Sequence, residues 1–275
     1  MGDIQVERLV NGVLIREGAG VKLHRYIGVD RTNDFEPFLL FDYFDSQDPI
    51  DFMAGFPPHP HRGFETITYL LAGSITHEDN KGHRGIISAG DVQWMTAGKG
   101  IIHSEMPSPS GQLKGFQLWL NLPAAEKMRE PRYQEILSAQ LPMEQNDVGV
   151  LIKVIAGKTD KGTTSPIKGI TTAPLFLDID LPLGMSFQQD ISKDYQTILF
   201  VVKGAVFIGG QLVEEGVLAK LSDGDRVHLK AEKKSQCLLI AAAKLYEPIA
   251  RHGPFVMNTN EEVMKALDDF RRGTF

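Results

Sequence analysis

The sequence predicts an all-β protein that consists of two similar domains. Apolar and polar side chains alternate with a period of two in GFQLWLNL (115–122) and PLFLDIDL (174–181), a pattern typical of half-buried β-strands. Other apolar segments are short and are separated by turns that contain glycine, as in TITYLLAGSITHED (66–79). Many short strands with such turns between them favour a sandwich or a barrel.

The two domains are predicted from an internal repeat. TYLLAGSI (68–75) resembles LFVVKGAVFI (199–208), and SAGDVQWM (88–95) resembles SDGDRVHL (222–229), both at a spacing close to half the chain. Two copies of one β-domain explain the length of 275 residues better than one oversized barrel, because a domain averages roughly 150 residues.

The expected boundary between an N-terminal domain (1–140) and a C-terminal domain (141–275) lies at the polar stretch SAQLPMEQNDVGV (138–150). Its proline and glycine are typical of a connecting segment. Each domain is then long enough to bury a core of its own.

Helical signals are few. Pro123 in NLPAAEKM predicts a short helix, because proline suits the first turn of a helix. A stronger signal closes the chain, where Thr259 and Glu262 have the spacing of a capping box. Apolar residues then recur at helical spacing at Val263, Met264, Leu267 and Phe270. We expect an amphipathic helix there that docks on another part of the protein.

Composition excludes several classes of function. The net charge is -6, and no run of lysine and arginine is longer than a pair, so direct binding to nucleic acid is not expected. Cys237 is the only cysteine, which excludes an internal disulfide. No apolar window reaches the roughly 18 residues of a transmembrane span, and the N-terminus lacks the apolar region of a signal peptide. We expect a cytoplasmic protein with no membrane partner.

Two pairs of potential metal ligands have the spacing of a β-strand. His59 and His61 stand two positions apart, as do His103 and Glu105. Residues i and i+2 of a strand project to the same side roughly 7 Å apart, so each pair can converge on one metal ion. The hairpin region between the pairs could bring them together inside a barrel. Imidazole and carboxylate ligands alone do not choose among Fe(II), Mn(II), Ni(II), Cu(II) and Zn(II).

Three sequence blocks resemble the pirin family of the cupin superfamily. They are HPHRGFET (59–66), GDVQWMTAGKGIIHSEMP (90–107) and HGPFVMNTNEEV (252–263), in the order that this family has. The first cupin motif is matched by His59, His61, Glu65 and Gly73. The second motif is matched by Gly90, Gly98 and His103. It lacks the usual proline and is followed by Glu105, and both departures are the pirin pattern.

The resemblance implies a bicupin of two stacked antiparallel β-barrels, or jelly rolls, with a few short helices and a C-terminal helix that packs back on the N-terminal barrel. It implies one mononuclear divalent metal in the N-terminal barrel, usually Fe(II), with the ligands His59, His61, His103 and Glu105. Glu65 is not a ligand in this family. Two interpretations stay open for Glu65: a catalytic residue that lines the pocket, or a hydrogen-bonded polar residue at the barrel mouth.

The internal repeat predicts that the second barrel holds no metal. At the same spacing, the first ligand pair corresponds to Asp190 and Ser192, and the second pair corresponds to Cys237 and Leu239. These four residues do not form a metal site, so the C-terminal barrel is expected to be structural. Cys237 is expected to be a small buried side chain rather than a reactive thiol.

The resemblance also implies a quercetin 2,3-dioxygenase activity, in which O₂ opens the heterocycle of a flavonol such as quercetin and carbon monoxide is released. Glu105 or Glu65 would take the proton of the 3-hydroxyl group. The competing interpretation is a non-enzymatic, iron-bound redox sensor that binds a protein partner, as a transcription cofactor or at a metabolic enzyme. A zinc-dependent sugar isomerase is a third. A monomer is expected.

Other conspicuous residues are expected to be structural. His77 and His83 lie in the polar segment THEDNKGHRG, where solvent exposure is the better interpretation. Trp94 and Met95 are expected in the core. Lys99 is either a cation in the pocket or a solvated turn residue.

Overall fold

The computed structural model describes residues 2–30, 33–109 and 111–275. Antiparallel β-sheet dominates these ranges and one α-helix lies near their C-terminal end, so the prediction of an all-β fold is confirmed. None of the helices in these ranges is both long enough and apolar enough to cross a membrane.

The strands of the described residues are numbered in chain order. In the first half of the chain they are β1 (Val6–Asn11), β2 (Val13–Glu17), β3 (Val21–Ile27), β4 (Phe38–Ser46), β5 (Phe56–His61), β6 (Phe64–Ala72), β7 (Ser74–Asp79), β8 (Arg84–Ser88), β9 (Val92–Thr96), β10 (Ile101–Pro107), β11 (Leu113–Asn121) and β12 (Arg132–Ile136). In the second half they are β13 (Met143–Gln145), β14 (Leu151–Ala156), β15 (Leu175–Leu181), β16 (Ser186–Asp190), β17 (Tyr195–Lys203), β18 (Ala205–Ile208), β19 (Gln211–Glu214), β20 (Val217–Leu221), β21 (Arg226–Ala231), β22 (Ser235–Ala243), β23 (Ala250–His252) and β24 (Phe255–Met257).

Helical structure is limited to short pieces and the C-terminal helix. Single 3₁₀ turns span Pro49–Asp51, Ala124–Glu126 and Ser138–Gln140, and the helix α1 spans Asn260–Arg271. The short helix predicted from Pro123 is therefore one 3₁₀ turn, with Pro123 at its N-cap.

The chain divides into two compact units. Unit I comprises Val13–Ser138 and Leu245–Phe275, and unit II comprises the residues up to Gly12 together with Ala139–Lys244. The first strand, β1, pairs with β20 of unit II, and the C-terminal helix α1 contacts β23 and β24 of unit I. The predicted domain bounds themselves stay a prediction.

Both units have the same arrangement of strands. Unit I has a seven-stranded sheet in the order β12-β9-β6-β11-β4-β3-β2 and a four-stranded sheet in the order β5-β10-β7-β8. The corresponding orders in unit II are β1-β20-β17-β22-β15-β14-β13 and β16-β21-β18-β19. The hairpin β6-β7 thus corresponds to β17-β18, and Gly73 and Gly204 turn these hairpins with positive φ angles. The topology therefore repeats, as the similarity of 68–75 to 199–208 predicts.

The predicted match of SAGDVQWM (88–95) to SDGDRVHL (222–229) is wrong. The first segment leads into β9, whose counterpart is β20, whereas the second leads into β21, the counterpart of β10. A Gly-Asp turn precedes both β9 and β21, so the similarity reflects the turn and not the position in the sheet. The counterpart of His103 therefore lies on β21. It is not Cys237, which is fully buried on β22, as expected for a small core side chain.

The interiors of the two units are filled differently. In unit II one apolar cluster extends across both sheets and includes Leu199, Val206 and Leu239, which are fully buried. In unit I the apolar cluster between the sheets is smaller and includes Leu70 and Ile75. Burial of apolar surface is the main favourable contribution to the free energy of folding. The smaller cluster of unit I therefore contributes less stabilisation, and interior positions are left for polar side chains.

The helix α1 is capped as predicted. The Thr259 hydroxyl accepts a hydrogen bond from the Glu262 amide at 3.2 Å, and the Glu262 carboxylate accepts one from the Thr259 amide at 3.0 Å. Val263 and Ala266 are buried, whereas Met264, which was expected on the apolar face, is 60% exposed. The buried face is narrower than predicted because α1 packs mainly on the small sheet of β23 and β24.

A buried cation ties the C-terminal segment to the turn after β5. Lys127 is 1% exposed, and its ammonium group donates to Gly63 O at 2.8 Å, to Asn121 Oδ1 at 2.6 Å and to Val256 O at 3.0 Å. Burial disfavours the charged form of Lys127 and lowers its pKa to about 8. The three oxygen acceptors offset this cost by stabilising the buried ammonium group.

We predict that Lys127→Met lowers the free energy of unfolding by about 2–4 kcal/mol, because three buried oxygen atoms lose their donor. Denaturant unfolding of the full chain measures this change. Lys81→Met on the exposed β7-β8 turn is the matched control and should stay within about 0.5 kcal/mol of the parent. Equal stabilities of the two variants would contradict the assigned role of Lys127.

Candidate metal centre

The predicted ligands lie on two paired strands of unit I. β5 and β10 are antiparallel, and His59 stands directly opposite His103. The register shifts between His103 and Glu105, which comes opposite Phe56. Directly opposite residues of an antiparallel pair project to the same face of the sheet, so this pairing brings the two predicted ligand pairs together.

β5 has an unusual composition, FPPHPH, because it is the edge strand of its sheet. Proline cannot donate to a β-ladder and is therefore confined to such edges. The strand ends in a tight turn at Gly63, which has a φ of +91°. A Cβ at Gly63 would lie 2.0 Å from Val256 O, so only glycine fits and the turn that follows His61 is fixed.

The three imidazole rings form a compact cluster. Their centroids are separated by 4.7 Å for His59 and His61, by 4.5 Å for His59 and His103, and by 5.0 Å for His61 and His103. One potential ligand atom of each ring lies within 4.8 Å of those of the other two. His61 and His103 are 2% and 1% exposed, so this donor set is shielded from bulk water.

The hydrogen bonds of the cluster fit a metal ligand role. His59 Nδ1 is 2.8 Å from Pro57 O, and donation to this carbonyl leaves Nε2 as a lone-pair donor to a metal. His61 Nδ1 and both ring nitrogens of His103 are buried without a hydrogen-bond partner among the described residues. Such atoms are rare in folded proteins because an unpaired buried polar group is costly, and a bound cation would satisfy the free lone pairs.

Burial also keeps these rings in the neutral form. It lowers the pKa of His59, and with the neighbouring histidines it lowers the pKa values of His61 and His103 well below the ordinary range. Neutral imidazole is the form that binds a metal ion, so protons compete little with a metal for this cluster.

Glu105 adds a carboxylate to the three rings. Its Oε2 lies 4.0 Å from His103 Nε2, and the residue is 5% exposed. Burial raises the pKa of Glu105 to about 7, and the Thr68 hydroxyl at 3.4 Å opposes this shift. A carboxyl group that titrates near neutral pH can hold or release a proton under physiological conditions.

Glu65 faces away from this cluster. It lies on β6, whose pairing with β9 runs without a register shift from Glu65 to Tyr69. Successive side chains of a strand alternate between its faces, so Glu65 projects opposite to Thr68, which approaches Glu105. Glu65 is fully buried and accepts a hydrogen bond from Thr96 at 2.6 Å. This placement favours the interpretation of Glu65 as a buried polar residue over a catalytic role.

A cavity of about 550 Å³ opens beside the cluster, a size within the range of roughly 300–1,000 Å³ for small-molecule sites. His59, His61 and Glu105 line it. The remaining lining combines apolar side chains with polar and charged ones, among them Leu23, Phe44, Trp119, Thr68, Gln117, Glu17, Arg25, Asp42 and Arg251.

The charged residues of this lining were not predicted from the sequence. Arg25 and Arg251 lie far apart in the chain and belong to no recognisable motif, so only the fold brings them to one cavity. Asp42 did leave a signal, because it is the lone carboxylate within the apolar run FLLFDYF (38–44) of β4. Burial raises the pKa of Asp42 to about 6, against the lowering effect of Arg25.

The expected exposure of His77 is wrong. This residue is fully buried, because it stands opposite Glu105 in the pairing of β7 with β10 and projects to the same interior face. Glu135 lies between His77, at 2.5 Å, and His83, at 3.3 Å, and His83 is half-buried. Ligand atoms around a zinc ion stand about 3.3 Å apart, so the closer contact is a hydrogen bond and the three residues form a hydrogen-bonded cluster.

Three further expectations concern residues near the cluster in sequence. Trp94 and Met95 are 1% and 0% exposed, so their assignment to the core is confirmed. The Lys99 ammonium group pairs with Glu130 at 2.5 Å on an exposed surface, which favours the solvated turn over a cation in the pocket.

Comparison with family models and known proteins agrees with this architecture. The model described as Pirin matches residues 20–120, and the model described as Pirin C-terminal cupin domain matches residues 176–275. A pirin-like protein of Caulobacter vibrioides is 45% identical over 271 residues, which cover 98% of each chain.

Solved structures share the fold. A crystal structure of quercetin 2,3-dioxygenase from Acinetobacter baumannii has a TM-score of 0.92 at 34% identity, with 100% of this chain and 99% of that chain covered. A bacterial pirin of Escherichia coli in complex with nickel(II) has a TM-score of 0.64 at 22% identity, with 88% and 99% covered.

The fold and the histidine cluster inside unit I define a cupin. The chain belongs to the pirin family, because two pirin models match most of its length and the Caulobacter relative matches nearly all of it. The resemblance seen in the three sequence blocks is thus confirmed. Proteins of the pirin and cupin families bind a metal, and the three-histidine site of this chain has the donors for one.

We predict that His61→Ala abolishes binding of about one divalent metal ion per chain, because it removes a buried imidazole from the centre of the donor set. Elemental analysis of protein loaded with Ni(II) measures the stoichiometry. His24→Ala, which changes an exposed histidine of β3, should keep the full metal content. A full complement of metal in His61→Ala would refute the assignment of this cluster.

We further predict that the affinity for Ni(II) falls about tenfold per pH unit below pH 7, because a metal ion that binds Glu105 must displace its proton. The three neutral histidines contribute little to this slope. Competition titrations between pH 5.5 and 7.5 measure it, and Glu105→Gln should flatten it. Equal slopes in the parent and in Glu105→Gln would remove Glu105 from the ligand set.

Proposed function

We propose that this protein is a metal-dependent dioxygenase that uses Fe(II) and O₂ to open the heterocycle of flavonols such as quercetin. The observation that carries the proposal is that the three-histidine cluster lies beside a cavity large enough for a small aromatic molecule, with His59, His61 and Glu105 in its lining. Under this proposal the ligands of the metal are His59, His61, His103 and Glu105. The likeness to a quercetin 2,3-dioxygenase structure at 34% identity supports the choice of substrate class.

The cavity would hold and orient a flat aromatic substrate. Leu23 and Phe44 provide apolar walls, and Trp119 provides a ring surface next to His61, with 5.1 Å between the ring centroids. These walls favour an aromatic ligand through burial of its apolar surface. Thr68 and Gln117, which are hydrogen-bonded to each other at 2.6 Å, provide polar contacts beside Glu105.

Glu105 is the residue that would take the proton of the flavonol 3-hydroxyl group. Burial raises the pKa of Glu105 to about 7 and so makes this carboxylate a stronger base than an exposed glutamate. Glu65 projects to the other face of β6 and has no part in this step. The buried His61 and His103 stay neutral and limit access of water to the reacting face of the substrate.

The donors of this site fit the metal that the reaction requires. Three neutral imidazoles with one carboxylate suit a first-row divalent ion, among them Fe(II), which is a metal of many oxygenases. Such an ion supplies Lewis acidity that stabilises the deprotonated 3-hydroxyl group of the substrate.

The test is turnover of quercetin by protein that has been loaded with Fe(II) under anaerobic conditions. On addition of O₂ we expect loss of the flavonol absorbance, consumption of O₂ and release of carbon monoxide. Glu105→Gln should lower kcat by about 10²–10⁴, the usual contribution of a general base, when rates are compared per bound metal. Glu65→Gln should retain activity, because this side chain does not reach the cavity.

Iron-bound protein that neither consumes O₂ nor bleaches quercetin would overturn the proposal. That outcome would favour the alternative function, an iron-bound regulator that acts through a protein partner. Full turnover in Glu105→Gln with metal still bound would leave the dioxygenase activity in place but would exclude Glu105 as the base.

A further inference from the structure

Arg251 is the cation of the cavity that forms no direct ion pair with the described residues. It lies at the exposed rim of the cavity that the histidine cluster lines. The other arginine of the lining, Arg25, pairs with Asp42 at 2.7 Å and with Glu17 at 2.8 Å. These two carboxylates also act on Arg251, but at longer range, so the donor edge of its guanidinium group stays open to a ligand.

Arg251 is also held in position before any ligand binds. Its Nη1 donates to Leu39 O at 3.0 Å and its Nε donates to Gly253 O at 3.2 Å. The guanidinium group lies 4.9 Å from the centroid of the Trp119 ring. These contacts orient the planar group but do not neutralise it, and Nη2 donates to none of the described residues.

The position of Arg251 relates it to the metal centre. Trp119, on which the guanidinium group lies, packs edge-on against His61 with 5.1 Å between the ring centroids. A ligand that reaches the histidines along this wall of the cavity passes the free edge of Arg251. A planar carboxylate is the group that best complements a fixed guanidinium fork, because it accepts two parallel hydrogen bonds and carries the opposite charge.

We infer that the substrate carries a carboxylate in addition to the hydroxyl group that approaches the metal centre, and that Arg251 binds this carboxylate. Among flavonols and related hydroxylated aromatic molecules, those that carry a carboxylate are therefore preferred over those that do not. The inference rests on the proposed function only in placing a hydroxylated aromatic ligand at the metal centre. It does not depend on the reaction with O₂.

The test measures binding rather than turnover. Calorimetric titration of the full chain loaded with Ni(II) compares catechol with two probes that carry a carboxylate, protocatechuate on a short arm and caffeate on a longer one. We expect at least one acid to bind about tenfold more tightly than catechol, as a charge-assisted pair provides. Arg251→Met should remove this preference, so that the ratio of the acid and catechol affinities falls to about one. Arg251→Lys should keep part of it, because lysine retains the charge but not the fork.

Arg84→Met is the matched control, because Arg84 on β8 is exposed and pairs with Glu78 on the neighbouring strand β7. It should leave the preference of the parent intact. The parent protein alone can overturn the inference, if catechol binds as tightly as both acids. So can Arg251→Met, if it keeps the preference while its metal content is that of the parent. Turnover of quercetin is scored separately, so failure of the dioxygenase proposal and failure of this inference are distinguishable.

Discussion

The antiparallel pairing of β5 with β10 is the constraint on which the site depends. Because His59 stands opposite His103, two short sequence motifs far apart in the chain become one donor set on one face of a sheet. The register shift before Glu105 then places a carboxylate beside these rings. A slip of one residue in this pairing would turn the ligands of one strand to the other face, so the register must be held tightly.

Several features outside the pairing hold this register. The prolines of β5 keep it at the edge of its sheet, and the close approach of Val256 to Gly63 fixes the turn at its end. Lys127 ties the same turn to the C-terminal segment. The interiors of the two units also differ. The interior of unit II is filled by one large apolar cluster that stabilises the fold. The apolar cluster of unit I is smaller, and its interior contains a cavity beside the buried histidines.

Much of this architecture could be predicted from the sequence, because its signals are local. Alternation of apolar and polar residues marked the strands, the capping box marked the start of α1, and the two ligand pairs had the spacing of a strand. Where two segments shared only a turn, as 88–95 and 222–229 do, local similarity gave the wrong strand match. His77 was misjudged for a related reason: its neighbours in sequence are polar, but its strand partner Glu105 faces the interior.

The charged rim of the cavity lay beyond sequence reasoning, since Arg25, Asp42 and Arg251 come from three distant segments and meet only in the folded unit. The choice between the two interpretations of Glu65 needed the structure as well. The face to which a strand residue points depends on the register of the strand, and the register is known only once the pairing partners are known. Sequence therefore singled out the histidines that the fold brings into one cluster, and the fold was required to say what surrounds them.

The most direct test of the account is anomalous diffraction at the nickel edge from crystals of the full chain loaded with Ni(II). The account predicts one strong peak in unit I, about 2.0–2.2 Å from one nitrogen each of His59, His61 and His103 and from the carboxylate of Glu105. A peak that lies elsewhere, for example at His77, His83 and Glu135, with none at the three-histidine cluster, would contradict it.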